Sequence, residues 1–174
     1  MQKYLTSRHG RRLSLAKPLV MGILNVTPDS FSDGGRFKSV REAVEAGLKM
    51  VAEGADIIDV GGESTRPGAE PVELAEELQR VIPVVEEIHR RADVVLSVDT
   101  SKSKVAEQAL AAGAHIINDV AALAGDARMA EVARNFAAGV ILMHRQGDSR
   151  AMQLAPHYED VVREVSDFLR DRAE

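Results

Sequence analysis

Five short apolar runs in this chain each lead into residues that can hydrogen-bond or carry charge: Asn25, Asp59 with Glu63, Asp99, Asn118 with Asp119, and His144. One such residue reads equally well as a cap at the end of a strand. Five at the same relative place read as the rim of a polar site. Two segments add to it. GGESTRPGAEP (61–71) supplies backbone N–H groups, the hydroxyls of Ser64 and Thr65, and the guanidinium of Arg66. Glycines beside hydroxyls and a guanidinium suit an anion such as a phosphate, although the segment matches no standard phosphate loop. NVTPDSFSDGGRF (25–37) carries Pro28, the acids Asp29 and Asp33, and Gly34-Gly35. A loop of this length after a strand is usually functional or disordered. Its acids serve as turn caps or as ligand contacts, and its paired glycines mark a bend or a hinge.

The elements that must position these groups follow from periodicity. The apolar runs at 19–24, 57–60, 94–98, 116–117 and 140–143 are short and continuous, so each is read as a strand buried on both faces. Between them lie stretches of helical period. Ala43, Val44, Gly47, Leu48 and Val51 share a face that ends at Gly54. Leu74, Ala75, Leu78, Val81, Ile82, Val85 and Ile88 form a longer stripe, with a kink or break expected at Pro83. Val105, Ala109 and Ala112 precede Gly113, and Val161, Val162, Val165, Phe168 and Leu169 make a last amphipathic stretch. The segment Gly54-Ala55-Asp56-Ile57-Ile58-Asp59 is echoed by Gly113-Ala114-His115-Ile116-Ile117-Asn118, as repeated βα units require. Strict βα alternation predicts a parallel sheet with right-handed crossovers. In a (β/α) barrel the polar groups would then lie at the C-terminal face of the strands, where active sites form. Asp59 and Asp119 are read as structural, and His144 as either a core histidine or a site residue.

Composition narrows the class. The chain has 174 residues, read as one domain over 1–174 with a lead-in over 1–18. Hydrophobic residues make up 45% and aromatics only 3%, so the core must be aliphatic. A net charge of −5 with no basic block argues against nucleic-acid partners. There is no cysteine, which excludes disulfides and thiolate metal sites. The polar N-terminus and the lack of a long apolar run predict a cytoplasmic protein without membrane association.

Taken together, the motifs resemble dihydropteroate synthases. MGILNVTPDSFSDGG (21–35) is similar to that family's first signature and GADIIDVGGESTRPG (54–68) to its second. SVDTSKSKV, GAHIINDV and LMHRQGD continue the resemblance. It implies condensation of 6-hydroxymethyl-7,8-dihydropterin diphosphate with p-aminobenzoate, giving dihydropteroate and pyrophosphate. It also implies a magnesium ion as cofactor, with Asn25 near the metal and the pyrophosphate. Asp99 and Asn118 would hydrogen-bond the pterin ring. Thr65 and Arg66 would contact the diphosphate or the aminobenzoate carboxylate, Phe31 and Pro67 would wall the aminobenzoate pocket, and Asp33 would approach the charge developing on the pterin methylene.

The family's barrel has eight βα units, and about five are legible here. No segment after Met143 is similar to the later acid, lysine and Arg-x-His element of the family. Arg145 stands where relatives commonly have an apolar residue. The expectation is therefore a partial (β/α) barrel with an open edge that invites self-association. One alternative is a half-barrel that binds without turnover. Another is the pterin-binding domain of a methyltetrahydrofolate methyltransferase, which should lack both long signatures.

Overall fold

Continuous aliphatic runs become strands and amphipathic runs become helices in strict alternation, as shown by a computed structural model. The structure describes residues 4–6, 12–26, 40–64, 70–147 and 155–174. A hairpin, β1 (Tyr4–Thr6) and β2 (Arg12–Ser14), precedes the repeats. Then come β3 (Met21–Asn25), α1 (Val40–Ala52), β4 (Ile57–Gly61), α2 (Leu74–Arg91) and β5 (Val95–Asp99). These are followed by α3 (Ser103–Ala111), β6 (Ile116–Asp119), α4 (Met129–Asn135), β7 (Gly139–Leu142) and α5 (Val161–Ala173). The strands β3 to β7 pair in sequence order and in parallel, giving a partial (β/α) barrel.

The two faces of the sheet have different jobs. Leu24, Ile58, Val60, Leu96, Val98 and Ile117 point to one side and are buried against the helices in the main core. Each fully buried aliphatic side chain of this kind is worth roughly 2 kcal/mol. Alternation sends Ile57, Val95 and Ile116 to the other side, where they form a second apolar cluster with Leu5 and Leu13 of the hairpin. The hairpin thus covers the N-terminal end of the inner face, in a segment that reads from sequence only as a lead-in.

Helix ends follow the glycine echo. Gly54 and Gly113 have φ of 104° and 119°, a region open to glycine at no steric cost. At Gly113 a side chain would also run into the His89 ring, 2.4 Å from a Cβ. Of the kink or break expected at Pro83, no break occurs, because α2 runs unbroken from Leu74 to Arg91. The fully buried Val81, Val84, Val85 and Ile88 hold both halves of that helix on the core, which offsets the hydrogen bond that proline removes. The last helix departs from expectation in another way. Val161 and Val162 are 51% and 74% exposed, and no residue of α5 is buried. Among the described residues the outer strands β3 and β7 leave the sheet open at both sides, with Val20 before β3 and Ile23 within it exposed.

Candidate functional site

Register brings the strand-end residues together. Asn25 pairs with Gly61, Gly61 with Asp99, and Asp99 with Asn118, so four neighbouring strands contribute to one row. Residues paired directly across parallel strands share a face, and this row stands above the Ile57–Val95–Ile116 layer on the inner side. Gly61 is the gap in the row. A Cβ there would lie 3.5 Å from Asn25 Oδ1 and 3.5 Å from Asp99 Oδ2. The absence of that side chain leaves a notch between the amide and the carboxylate.

One level below, Asp59 projects from β4 on the same face. Asn118 Nδ2 donates to Asp59 Oδ2 at 2.9 Å, reaching across β5, where the intervening buried residue is the small Ser97. Asp59 Oδ1 and Asp99 Oδ1 are buried without a hydrogen-bond partner among the described residues. An acceptor in that position is costly unless a ligand's donor meets it. Burial pushes the Asp59 carboxyl up, moderated by the nearby Ser97 hydroxyl and the Asn118 amide. Burial also pushes Asp99 up, to about 7, assisted by the charges of Asp59, Glu77, Asp119 and Glu63. The arrangement can therefore present an amide, a carboxylate close to its titration point and a second carboxylate behind them.

The other strand-end residues play different parts. Asp119 accepts the backbone N–H groups of Ala121 and Leu123, both at 2.8 Å, and so shapes the turn after β6, as its structural reading predicts. Asp59 is structural in that it holds Asn118, yet it lies within the polar row's own cluster. The His144 ring meets Phe168 edge-on at 4.9 Å and lies near Tyr158 at 5.8 Å, which fixes α5 to the end of β7. Arg145 lines a hollow with Ala121, Gly125, Met143 and Phe168 beyond β6 and β7. Phe31, Asp33, Thr65, Arg66 and Pro67, with Asp29, lie outside the described residues.

A second cluster, not foreseen from sequence, sits beside the row. Lys102 Nζ donates to Glu63 Oε2 at 2.6 Å and to Glu77 Oε2 at 2.5 Å, and Thr100 Oγ1 donates to Glu77 Oε1 at 2.6 Å. Glu77 is fully buried. Its sequence signal was an acid on the same helix face as Val81, Val84 and Ile88, where an unpaired charge would be untenable.

Residues 21–174 match the family of pterin binding enzymes. The chain belongs to that family. Within it, the chain is homologous to dihydropteroate synthases. It is 54% identical over 159 residues to the Escherichia coli K12 dihydropteroate synthase, covering 91% of this chain and 56% of that protein. The Yersinia pestis dihydropteroate synthase in complex with a sulfonamide drug matches with a TM-score of 0.90 and 47% identity, over 98% of this chain and 61% of that one. The Xanthomonas albilineans dihydropteroate synthase with 4-aminobenzoic acid matches with a TM-score of 0.86 and 50% identity, over 99% and 60% of the two chains. The chain thus spans little more than half the length of the curated relatives it matches.

The expectation of magnesium on Asn25 is overturned. Among the described residues no group of three or more His, Asp or Glu side chains is arranged to hold a metal ion. Magnesium demands near-octahedral oxygen ligation and is usually anchored by carboxylates. Asn25 offers one neutral amide oxygen on an exposed edge strand. Of the nearby carboxylates, Asp59 holds the Asn118 amide through Oδ2, and Asp99 is drawn towards its neutral form. Among the described residues no helix is long and apolar enough to cross a membrane.

Proposed function

We propose that this chain is the pterin-binding portion of a dihydropteroate-synthase-type transferase, and that it binds the ring of a reduced pterin through Asp99 and Asn118. The observation that carries the reading is the Asn25–Gly61–Asp99–Asn118 row with Asp59 behind it. A pterin ring presents an edge of alternating donors and acceptors. The unpartnered Asp99 oxygen suits its N–H donors, and the Asn118 carbonyl, whose amide nitrogen is already engaged, suits a further donor. Asn25 stands at the open end of the row, on the side from which a diphosphate-bearing substituent would leave the ring.

Full turnover is the second reading, favoured by the 54% identity to an enzyme of that name. In it the methylene–oxygen bond of the pterin diphosphate breaks with its electron pair leaving on pyrophosphate. The aniline nitrogen of p-aminobenzoate then forms the new C–N bond and loses a proton. Thr65 and Arg66 would take up the anionic groups, Phe31 and Pro67 would flank the aminobenzoate, and Asp33 would face the pterin cation. The first reading takes precedence because the chain matches only 56% to 61% of its relatives' length.

Calorimetric titration of the purified chain with 6-hydroxymethyl-7,8-dihydropterin tests the binding reading. Saturable binding that is lost in Asp99→Ala supports it, and no binding by folded protein overturns it. Adding the diphosphate and p-aminobenzoate and following dihydropteroate then separates binding alone from turnover.

A further inference from the structure

The cluster beside the row joins three parts of the chain that sequence keeps far apart. Glu63 Oε2 accepts the Val72 N–H at 2.9 Å as well as the Lys102 ammonium. One carboxylate thus pins the point where the chain leaves β4 to the point where it approaches α2. Gly62 lets α2 come close, since a Cβ there would lie 2.7 Å from Val81 Cγ2 and 2.9 Å from Glu77 Cγ. Arg80 of the same helix donates to the Gly62 carbonyl at 2.8 Å and is paired with Glu76. On the other side Thr100, the residue after Asp99, donates to Glu77 and accepts the Lys102 N–H at 3.2 Å.

Lys102 is the hub of this arrangement. Burial pulls its pKa down, but hydrogen bonds to Glu63 and Glu77 outweigh that and leave it above the ordinary lysine value. The ammonium therefore stays charged, one positive charge between two negative ones. The charged groups facing Asp99 are Asp59 on β4, Glu63 after β4, Glu77 on α2 and Asp119 on β6. Lys102 is the cation bound to two of those four.

We infer that Lys102 is a positioning residue for ring binding, tying the base of the 63–72 segment to the Asp99–Thr100 turn while offsetting the negative charge that faces Asp99. The inference rests on the pterin-binding reading above for its ligand, though its structural half does not depend on it. The lysine acts without touching a ring atom. It acts through Asp99, whose carboxylate must be available as an acceptor, and through Val72, whose backbone it helps to fix.

The test compares Lys102→Met and Glu63→Gln with the parent chain, reading two quantities. One is the amide hydrogen exchange of Val72. The other is the pH midpoint of 6-hydroxymethyl-7,8-dihydropterin affinity. Removing the ammonium should raise the midpoint by about one pH unit, so that affinity at pH 7 falls by up to about tenfold and recovers in alkali. Removing the Glu63 charge should shift the midpoint the opposite way, while Val72 exchange rises in Lys102→Met and rises less in Glu63→Gln, whose amide oxygen can still accept the Val72 N–H. Glu63 is partly exposed, so its variant folds even if Lys102→Met does not. Shifts of the same sign, or affinity losses equal at every pH, would mean a merely structural role and overturn the inference. Unchanged midpoints with unchanged Val72 exchange would overturn it as well. A parent chain that binds no pterin would fail the ligand reading, while the Val72 result would still judge the clamp.

Discussion

The Asn118 amide reaches across β5 to donate to Asp59 at 2.9 Å, and this bond decides which way Asn118 faces a ligand. With nitrogen held on a carboxylate, flipping the amide would set two oxygens against each other. The Asn118 carbonyl is thereby fixed as the acceptor on the open side. A double-mutant cycle in Asp59→Asn and Asn118→Ala, read by pterin affinity, should show coupling of about 1–2 kcal/mol between the two positions. Additive losses would show that Asp59 does not orient Asn118.

Asp99 should make the folded chain prefer acid. Its carboxyl is raised from 3.8 to about 7, first by burial and then by the acids around it. Between those values the native state binds the proton more tightly than the unfolded chain, so stability falls as pH rises. The contribution is complete below the unfolded pKa and is lost as pH rises through about 7. Asp99→Asn removes the ionisation. Relative to the parent it should gain on the order of 3 kcal/mol at pH 8 compared with pH 4. Urea denaturation at both pH values measures this, and a pH-independent difference would contradict the burial argument. The same variant should bind pterin poorly, which is the usual conflict between a site and its own stability.

Much of this was legible in the residues. The echo of Gly54 through Asp59 in Gly113 through Asn118 announces two βα units, and the structure returns both glycines at positive φ and both polar groups on one face. That the echoed pair, Asp59 and Asn118, bond to each other was not legible, because it depends on strand stagger and on the small Ser97 between them. The α2 stripe was read as apolar, which hid Glu77 among its neighbours until Lys102 and Thr100 appeared as its partners. The seven-residue α4 and the three-residue hairpin strands are too short to carry a period. Conversely, the stripe on α5 was plain in sequence but lies largely uncovered, since periodicity shows what a helix could bury and not what is there to bury it.

Gly62 should resist any side chain. A Cβ would approach Val81 Cγ2 to 2.7 Å and Glu77 Cγ to 2.9 Å, and both belong to a helix anchored by its own buried face. Glu77 cannot swing aside without releasing Lys102 and Thr100. Gly62→Ala should therefore destabilise the chain by about 1–3 kcal/mol, the usual cost of overpacking a well-filled interior. The midpoint of chemical denaturation measures it. An unchanged midpoint would show that α2 sits on this turn more loosely than its hydrogen bonds imply.

The hairpin at the other end of the sheet should matter for stability and not for ligand. Leu5 and Leu13 pack on Ile57, Val95 and Ile116, the apolar layer below the polar row. Those three are nearly or fully buried, at 5%, 1% and 0% exposure, and among the described residues Leu5, Leu13, Met21 and Ile141 pack against them. Leu13→Ala removes aliphatic contact from the layer without touching Asp59, Asp99 or Asn118. It should cost about 1–2 kcal/mol, less than a fully buried leucine because Leu13 is only half-buried. Pterin affinity, measured well below the unfolding transition, should stay within about twofold of the parent. A large affinity loss in folded Leu13→Ala would mean that the apolar layer and the polar row move together. The hairpin would then belong to the binding machinery rather than to the base beneath it.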